Sequence, residues 1–309
     1  MKINRLVIEN FKSIERVELI EPNPFTVFVG PNGSGKSNIF EALEYLVLRR
    51  RTDEYILLRL FGGKESVTSK QNEAGELMIL GDLGVAKISN SGALSHVDDA
   101  HSHPYYRQFI NFCHLFVNNK RLEKYPVKDE QVLSLSADNL EKVLKRILSN
   151  DILRQEIFEW LELFVPEFKA VEVDDRNELH WFEQYSGEYF TKDLISDGTY
   201  NILAMLTAVY QSDDKPQFLC IEEPENGLHP QVAGELVDFF RTMCEERGHF
   251  IWLNTHSQTI VSRLRPEEMV LVEKKQGQTQ VRQFKGQDFH GLRMDEAWLM
   301  NVLGGGLPW

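Results

Sequence analysis

The segment GPNGSGKS at residues 30–37 limits what this chain can fold into more than any other stretch. It fits G-x-x-x-x-G-K-[ST] at every position, and such a loop needs a strand before it and a helix after it. The flanks supply both. Phe25–Val29 is a short apolar run ending at glycine, which predicts a buried strand. From Lys36 onward, Ile39, Ala42, Leu43, Leu46 and Val47 fall on one face, which predicts a helix. Gly30, Gly33 and Gly35, with Pro31, Asn32 and Ser34 between them, let backbone N–H groups turn inward around a phosphate. The helix N-terminus adds its partial positive charge. Lys36 is then placed to reach the β- and γ-phosphates, and Ser37 to ligate Mg²⁺. The ligands implied are ATP and Mg²⁺.

Around this unit the chain alternates strand and helix. Residues 3–9 and 14–19 predict a hairpin turning at 10–13. After residue 194 the pattern resumes. It predicts a helix over 198–210, a buried strand over 218–221 and a helix over 230–244 with Pro230 in its first turn. Further strands are expected at 250–253, 269–272 and 280–284. The division expected is an α/β head made of 1–50 and 191–285, an α+β insertion at 51–190 and a tail at 286–309. Within the insertion, 138–164 is strongly helical, with Asp138 and Glu141 placed as a capping box. His96, His101, His103 and His114 crowd together, but their spacing matches no metal-ligand pattern, so they read as loop histidines. The tail carries Trp298, Leu299, Leu303 and Trp309, which suit packing on the chain's own core or docking on a partner protein.

Composition narrows the classes. The net charge of −13 disfavours a surface that grips nucleic acid everywhere. The basic runs Arg49–Arg51, Lys142–Arg146 and Lys274–Lys275 read as solvated faces. Cys113, Cys220 and Cys244 form no CxxC spacing, which points to a reduced, cytoplasmic protein. The start MKINRLVIENF lacks the pattern of a secretion signal, and no apolar run suffices to span a bilayer, so no membrane association is expected.

Three further motifs bear on chemistry. FLCIEEPENGLHP at 218–230 delivers Glu222 and Glu223 at the carboxyl end of a buried strand, where open α/β sheets place their ligands. Glu222 is the candidate Mg²⁺ ligand, and Glu223 the candidate to accept a proton from, or orient, an attacking water. NTHS at 254–257 closes the next strand and offers His256 to the γ-phosphate and that water. LISDGT at 194–199 opens a helix with Ser196 at its N-cap and Gly198 leaving backbone exposed. Taken alone that pattern reads as a good helix start; beside the other motifs it also offers an anion site for a phosphate bound by another copy.

NFKSI at 10–14, GPNGSGKSN at 30–38, SDGT at 196–199, IEEPENGLHP at 221–230 and NTHS at 254–257 occur in the order found in ATP-binding-cassette (ABC) ATPases. The set resembles the soluble RecF/SMC/OLD-like branch. The resemblance covers 1–50 and 190–275 well and 51–190 loosely. It implies an ABC-type P-loop NTPase head with a mixed central sheet. It also implies that two heads close around two nucleotides, so that Ser196, Asp197, Gly198 and Thr199 of one copy act on the nucleotide held by the other. By the same resemblance Gly227 and Leu228 lie near the two-fold axis, and Lys12, Ser13 and Asn38 belong to the nucleotide site. The Q-loop glutamine is not placed; Gln108 is a candidate. Glu222 stands where aspartate is usual, as in many OLD-like members. SDGT replaces the SGGQ of transporters, and neither a zinc hook nor a long coiled coil is present. With only about 25 residues after the last strand, no Toprim nuclease domain is expected.

The function expected from the resemblance is a dimeric ATPase switch of antiphage defence that controls a separately encoded nuclease or toxin. The alternative is a RecF-like repair ATPase that binds duplex DNA. A transporter nucleotide-binding subunit is a weaker third reading.

Overall fold

A computed structural model describes residues 3–48, 53–68, 77–81, 84–88, 111–117, 131–289 and 291–303. Gln108, His96, His101, His103 and Trp309 lie outside these residues, as do Arg49, Arg50 and Arg51.

Strands β1 (Arg5–Phe11) and β2 (Ile14–Ile20) form the expected hairpin, and β3 (Phe25–Val29) leads through the glycine loop into α1 (Lys36–Leu48). Two short helices follow, α2 (Glu54–Leu60) and α3 (Lys64–Val67), then β4 (Leu77–Gly81), β5 (Gly84–Ile88) and β6 (Phe112–Leu115). A pair of helices, α4 (Leu140–Leu148) and α5 (Asp151–Phe164), precedes the hairpin β7 (Phe168–Val173) and β8 (Leu179–Glu183). The chain then runs through α6 (Asp197–Tyr210), β9 (Phe218–Glu222), α7 (Pro230–Arg247), β10 (Phe250–Thr255) and α8 (Gln258–Ser262). It closes with β11 (Met269–Lys275), β12 (Gln278–Gln283) and α9 (Met294–Leu299).

The central sheet has the order β12-β11-β3-β10-β9-β6. All its pairs are parallel except β11–β12, so it is mixed. Alternation along the strands sorts the core. Phe25, Val27, Val29, Leu219, Ile221, Ile251 and Leu253 face the layer of α4–α7. Phe28, Phe218, Cys220, Phe250 and Trp252 face α1 and the β1–β2 hairpin. A parallel sheet covered on both faces needs such continuous apolar strands. The second sheet, β2-β1-β4-β5, is antiparallel.

Residues of the 51–190 stretch enter both sheets: β4 and β5 extend β1, and β6 is added to β9. His114 is thereby corrected from a loop histidine to a buried residue of β6, because its strand pairs in register with β9. The expected capping box of Asp138 and Glu141 does not form. Helix α4 starts after Asn139, Asp138 accepts from Ser136 Oγ at 2.6 Å, and Glu141 pairs with Lys192 at 3.3 Å. Other caps follow the sequence. Ser196 caps α6 by accepting from the Thr199 N–H at 3.0 Å, and Pro230 opens α7.

In the tail, Met294, Ala297 and Leu303 are buried, and Leu299 is exposed. Arg241 ties α7 to the segment before β11 through a bidentate pair with the buried Glu268, at 2.7 and 3.0 Å. Arg241→Ala leaves that carboxylate buried and unpaired. It is expected to cost about 3–5 kcal/mol of unfolding free energy, read by urea denaturation.

Candidate nucleotide-binding site

The parallel strands set the site. β3, β9 and β10 run the same way, so Gly30, Glu222 and His256 emerge at one sheet edge, where open α/β sheets bind ligands. Register does the finer placing. Asn254 on β10 lies opposite Phe28 on one side and Glu222 on the other.

The loop folds around its lysine. Lys36 is buried and its Nζ donates to the Gly30 carbonyl at 2.8 Å and the Pro31 carbonyl at 3.2 Å. Burial lowers its pKa to about 8, against the opposing pull of Glu222, Glu223 and Glu225. Gly35 has φ +103°, and a Cβ there would lie 2.1 Å from Thr279 Oγ1. Only glycine fits that approach. Ser34 Oγ is buried with no hydrogen-bond partner among the described residues.

Ser37 and Glu222 meet: Ser37 Oγ donates to Glu222 Oε2 at 2.7 Å, and Asn254 Nδ2 donates to the same oxygen. Glu222 is buried, which by itself would raise its carboxyl. Donors from His114, Ser37 and Asn254 outweigh that and hold it below the usual carboxylate range. His114 bridges Glu222 and Glu44, its ring nitrogens 3.1 Å from each. Burial would lower the imidazole, but these two carboxylates raise it to about 10. A hydroxyl beside a carboxylate is an all-oxygen donor set of the kind Mg²⁺ accepts, and the glycine-lined loop suits phosphate oxygens.

Glu223 takes a left-handed backbone, φ +46°, at the strand end. Its N–H donates to the Asn254 carbonyl at 3.0 Å, and its Oε2 accepts from Asn226 Nδ2 at 2.9 Å. His256 is exposed. Partial burial, then the charge of Lys36, holds its imidazole below the ordinary value, so it is neutral at pH 7. Glu225, which the sequence motif did not single out, binds this strand end to the neighbouring one. Its Oε1 accepts from Thr255 Oγ1 at 2.6 Å and from the His256 N–H at 3.0 Å.

Ser13 joins the loop through Asn38 Nδ2 at 2.7 Å and Thr279 Oγ1 at 2.7 Å, and Thr279 Oγ1 reaches the Ser34 carbonyl at 2.9 Å. Lys12 pairs with Glu41 on α1. The 196–199 segment forms the N-cap and first turn of α6. Ser196 and Asp197 are exposed and the Ser196 hydroxyl bonds to Thr199, whereas Gly198, expected to leave its backbone exposed, is buried. A Cβ on Gly198 would lie 2.3 Å from the Gly227 carbonyl oxygen. Asn201 Nδ2 donates to the Asn226 carbonyl at 2.8 Å. The β9–α7 loop thus carries Glu223 at one end and abuts the start of α6 at the other.

Comparison with known proteins agrees with this geometry. A family profile described as "AAA domain, putative AbiEii toxin, Type IV TA system" matches residues 89–262. A second, "AAA ATPase domain", matches residues 1–82. The chromosome partition protein Smc of Methanocaldococcus jannaschii is 44% identical over 45 residues, 15% of this chain and 4% of that protein. The DNA replication and repair protein RecF of Mannheimia succiniciproducens is 50% identical over 46 residues, 15% of this chain and 13% of that protein. The aligned stretches are thus small parts of these relatives. An SMC head solved with the C-winged helix domain of ScpA has a TM-score of 0.59 at 14% identity, covering 96% of this chain and 99% of that one. The SMC head domain from Thermotoga maritima scores 0.53 at 15% identity, covering 92% and 99%. At such identities the likeness is one of fold.

Proposed function

The chain belongs to the AAA-domain ATPase family matched over residues 89–262, as an ABC-type head of the RecF/SMC branch, and from that premise we propose that it is an ATP-hydrolysing switch that works as a pair of heads. The observation that carries this reading is the 2.7 Å bond from Ser37 to Glu222, which joins two motifs 185 residues apart at one strand-end edge.

In this reading the N–H groups of Gly30–Ser37 hold the β-phosphate, and Lys36 turns from its loop carbonyls to the β- and γ-phosphates. Ser37 and Glu222 hold Mg²⁺, which when bound offsets phosphate charge. Glu223 takes the proton of the attacking water. His256, neutral and fixed from behind by Glu225, hydrogen-bonds the γ-phosphate. Lys12, Ser13 and Asn38 line the outer edge. Ser196, Asp197, Gly198 and Thr199 face the nucleotide of the second copy; the exposure of Ser196 and Asp197 at the start of α6 supports this assignment. No described helix is long and apolar enough to cross a membrane.

The Lys36 pKa gives a direct test. In the ligand-free protein Lys36 titrates at about 8, and phosphate charge on binding raises it again. At pH 8.5, ATP binding is therefore expected to take up more protons than at pH 7, where Lys36 is already largely charged. Calorimetry in two buffers of different ionisation heat measures this. Equal uptake at both pH values removes Lys36 from the phosphates.

The switch is further proposed to act in antiphage defence on a separately encoded nuclease or toxin, as an OLD-like ATPase. The toxin–antitoxin description of the matching profile supports that direction. Co-purification with the product of the neighbouring gene, with and without ATP, tests it; no association in either state counts against it. A second reading, binding of duplex DNA, is favoured by the names of the chromosome-partition and repair relatives. Against it, Lys145 and Arg146 are paired with Asp175 and Asp213. DNA affinity that falls steeply between two salt concentrations would support this second reading.

A further inference from the structure

We propose that His114 is a positioning residue that fixes Glu222 for Mg²⁺, acting from β6 through a buried Glu44–His114–Glu222 bridge; this rests on the reading of Glu222 as a metal ligand. The side chains of His114 and Glu222 are each 3% exposed, and that of Glu44 11%. Nδ1 lies 3.1 Å from Glu44 Oε2, and Nε2 lies 3.1 Å from Glu222 Oε1. The two carboxylates only accept when ionised, so each ring nitrogen serves as a donor to one of them.

Three elements lock the ring. β6 pairs with β9 so that His114 lies opposite Cys220, two residues before Glu222 and on the same face. α1 supplies Glu44 on the far side. Phe40, also on α1, packs edge-on against the imidazole with centroids 5.9 Å apart.

The result is a division of labour on Glu222. Oε1 is occupied by His114, which leaves Oε2 as the oxygen turned to Ser37 and Asn254. Without His114 the carboxylate is anchored through one oxygen only and is free to turn about its last torsion. An ordinary core histidine is satisfied by one carbonyl. One that spans two buried carboxylates, one of them beside the phosphate loop, fixes the orientation of an acid. Such outer partners of metal ligands typically change metal affinity about 10–100-fold. Because His114 is carried by β6, the position of that strand becomes part of the metal site.

The test uses the full chain and three proteins: wild type, His114→Gln and Glu44→Ala. Mn²⁺ binding in the presence of ATP is followed by electron paramagnetic resonance, with ATP affinity in excess EDTA as the metal-free control. His114→Gln is expected to weaken Mn²⁺ binding about tenfold, and Glu44→Ala several-fold in the same direction, while metal-free ATP affinity stays within about twofold. A general loss of structure would instead lower both affinities together. If His114→Gln does not fold, Glu44→Ala decides alone, since it leaves the imidazole in place. The proposal is overturned if the folded variants bind Mn²⁺ within about twofold of wild type. A wild-type protein with no metal-dependent ATP binding overturns the parent reading instead.

Discussion

Glu223→Gln will keep ATP bound and hydrolyse it about 10²–10⁴ times more slowly than the wild type, the usual range for losing a general base. The substitution changes chemistry while sparing architecture. Residue 223 keeps its left-handed backbone through N–H bonds to the carbonyl and side chain of Asn254, and neither bond uses the Glu223 side chain. Asn226 Nδ2 now donates to Glu223 Oε2 at 2.9 Å and can donate equally to a glutamine oxygen. What glutamine cannot do is take a proton. Bound ATP then persists, so paired heads are expected to accumulate, and light scattering with ATP should show a mass near twice that of the monomer. Hydrolysis at the wild-type rate would move the base elsewhere, with Glu225 next in line because it too lies near Lys36.

Lys36→Ala will abolish ATP binding in the useful concentration range, weakening it about 10²–10⁴-fold. That corresponds to two charge-assisted hydrogen bonds at about 1.5–3 kcal/mol each. The lysine is buried and arched over its own loop, held by the Gly30 and Pro31 carbonyls. Its surroundings already contain Glu222, Glu223 and Glu225, so without the ammonium the pocket repels phosphate as well as failing to attract it. Equilibrium binding of ATP by the folded variant checks this. Retained binding would show that the loop backbone alone suffices.

The strand–loop–helix unit was legible in the sequence because its signals are local: an apolar run, glycines and a 3.6-residue period lie within 25 residues. Ser196 and Pro230 were legible for the same reason, since caps are set by residues within one turn. The members brought in from afar were not. β6 is four residues long, and its partner β9 begins more than a hundred residues later, so His114 looked like one of a run of loop histidines. Once β6 is laid on β9, His114 and Glu222 share a face. Glu225 lies inside the 218–230 motif without a signal of its own, and β10 alongside gives it the Thr255 and His256 donors. Thr279 touches the glycine loop from a hairpin 245 residues away. Asp138 and Glu141 failed as a cap because Asn139 is held by the preceding loop, accepting from the Ser134 N–H at 2.8 Å and donating to the Val132 carbonyl at 2.9 Å.

The central claim, that each site takes its phosphate loop from one copy and its 196–199 segment from the other, is tested by mixing two dead proteins. Lys36→Ala lacks a working loop. Ser196→Arg lacks a working α6 start, at a stability cost of about 1 kcal/mol for the lost cap at an exposed position. A mixed pair holds one site with both defects and one with neither. Random pairing therefore predicts recovery of about a quarter of wild-type ATPase activity, from half the pairs with half their sites intact. Activity no greater than the sum of the two variants measured alone would show that the sites are not shared between copies.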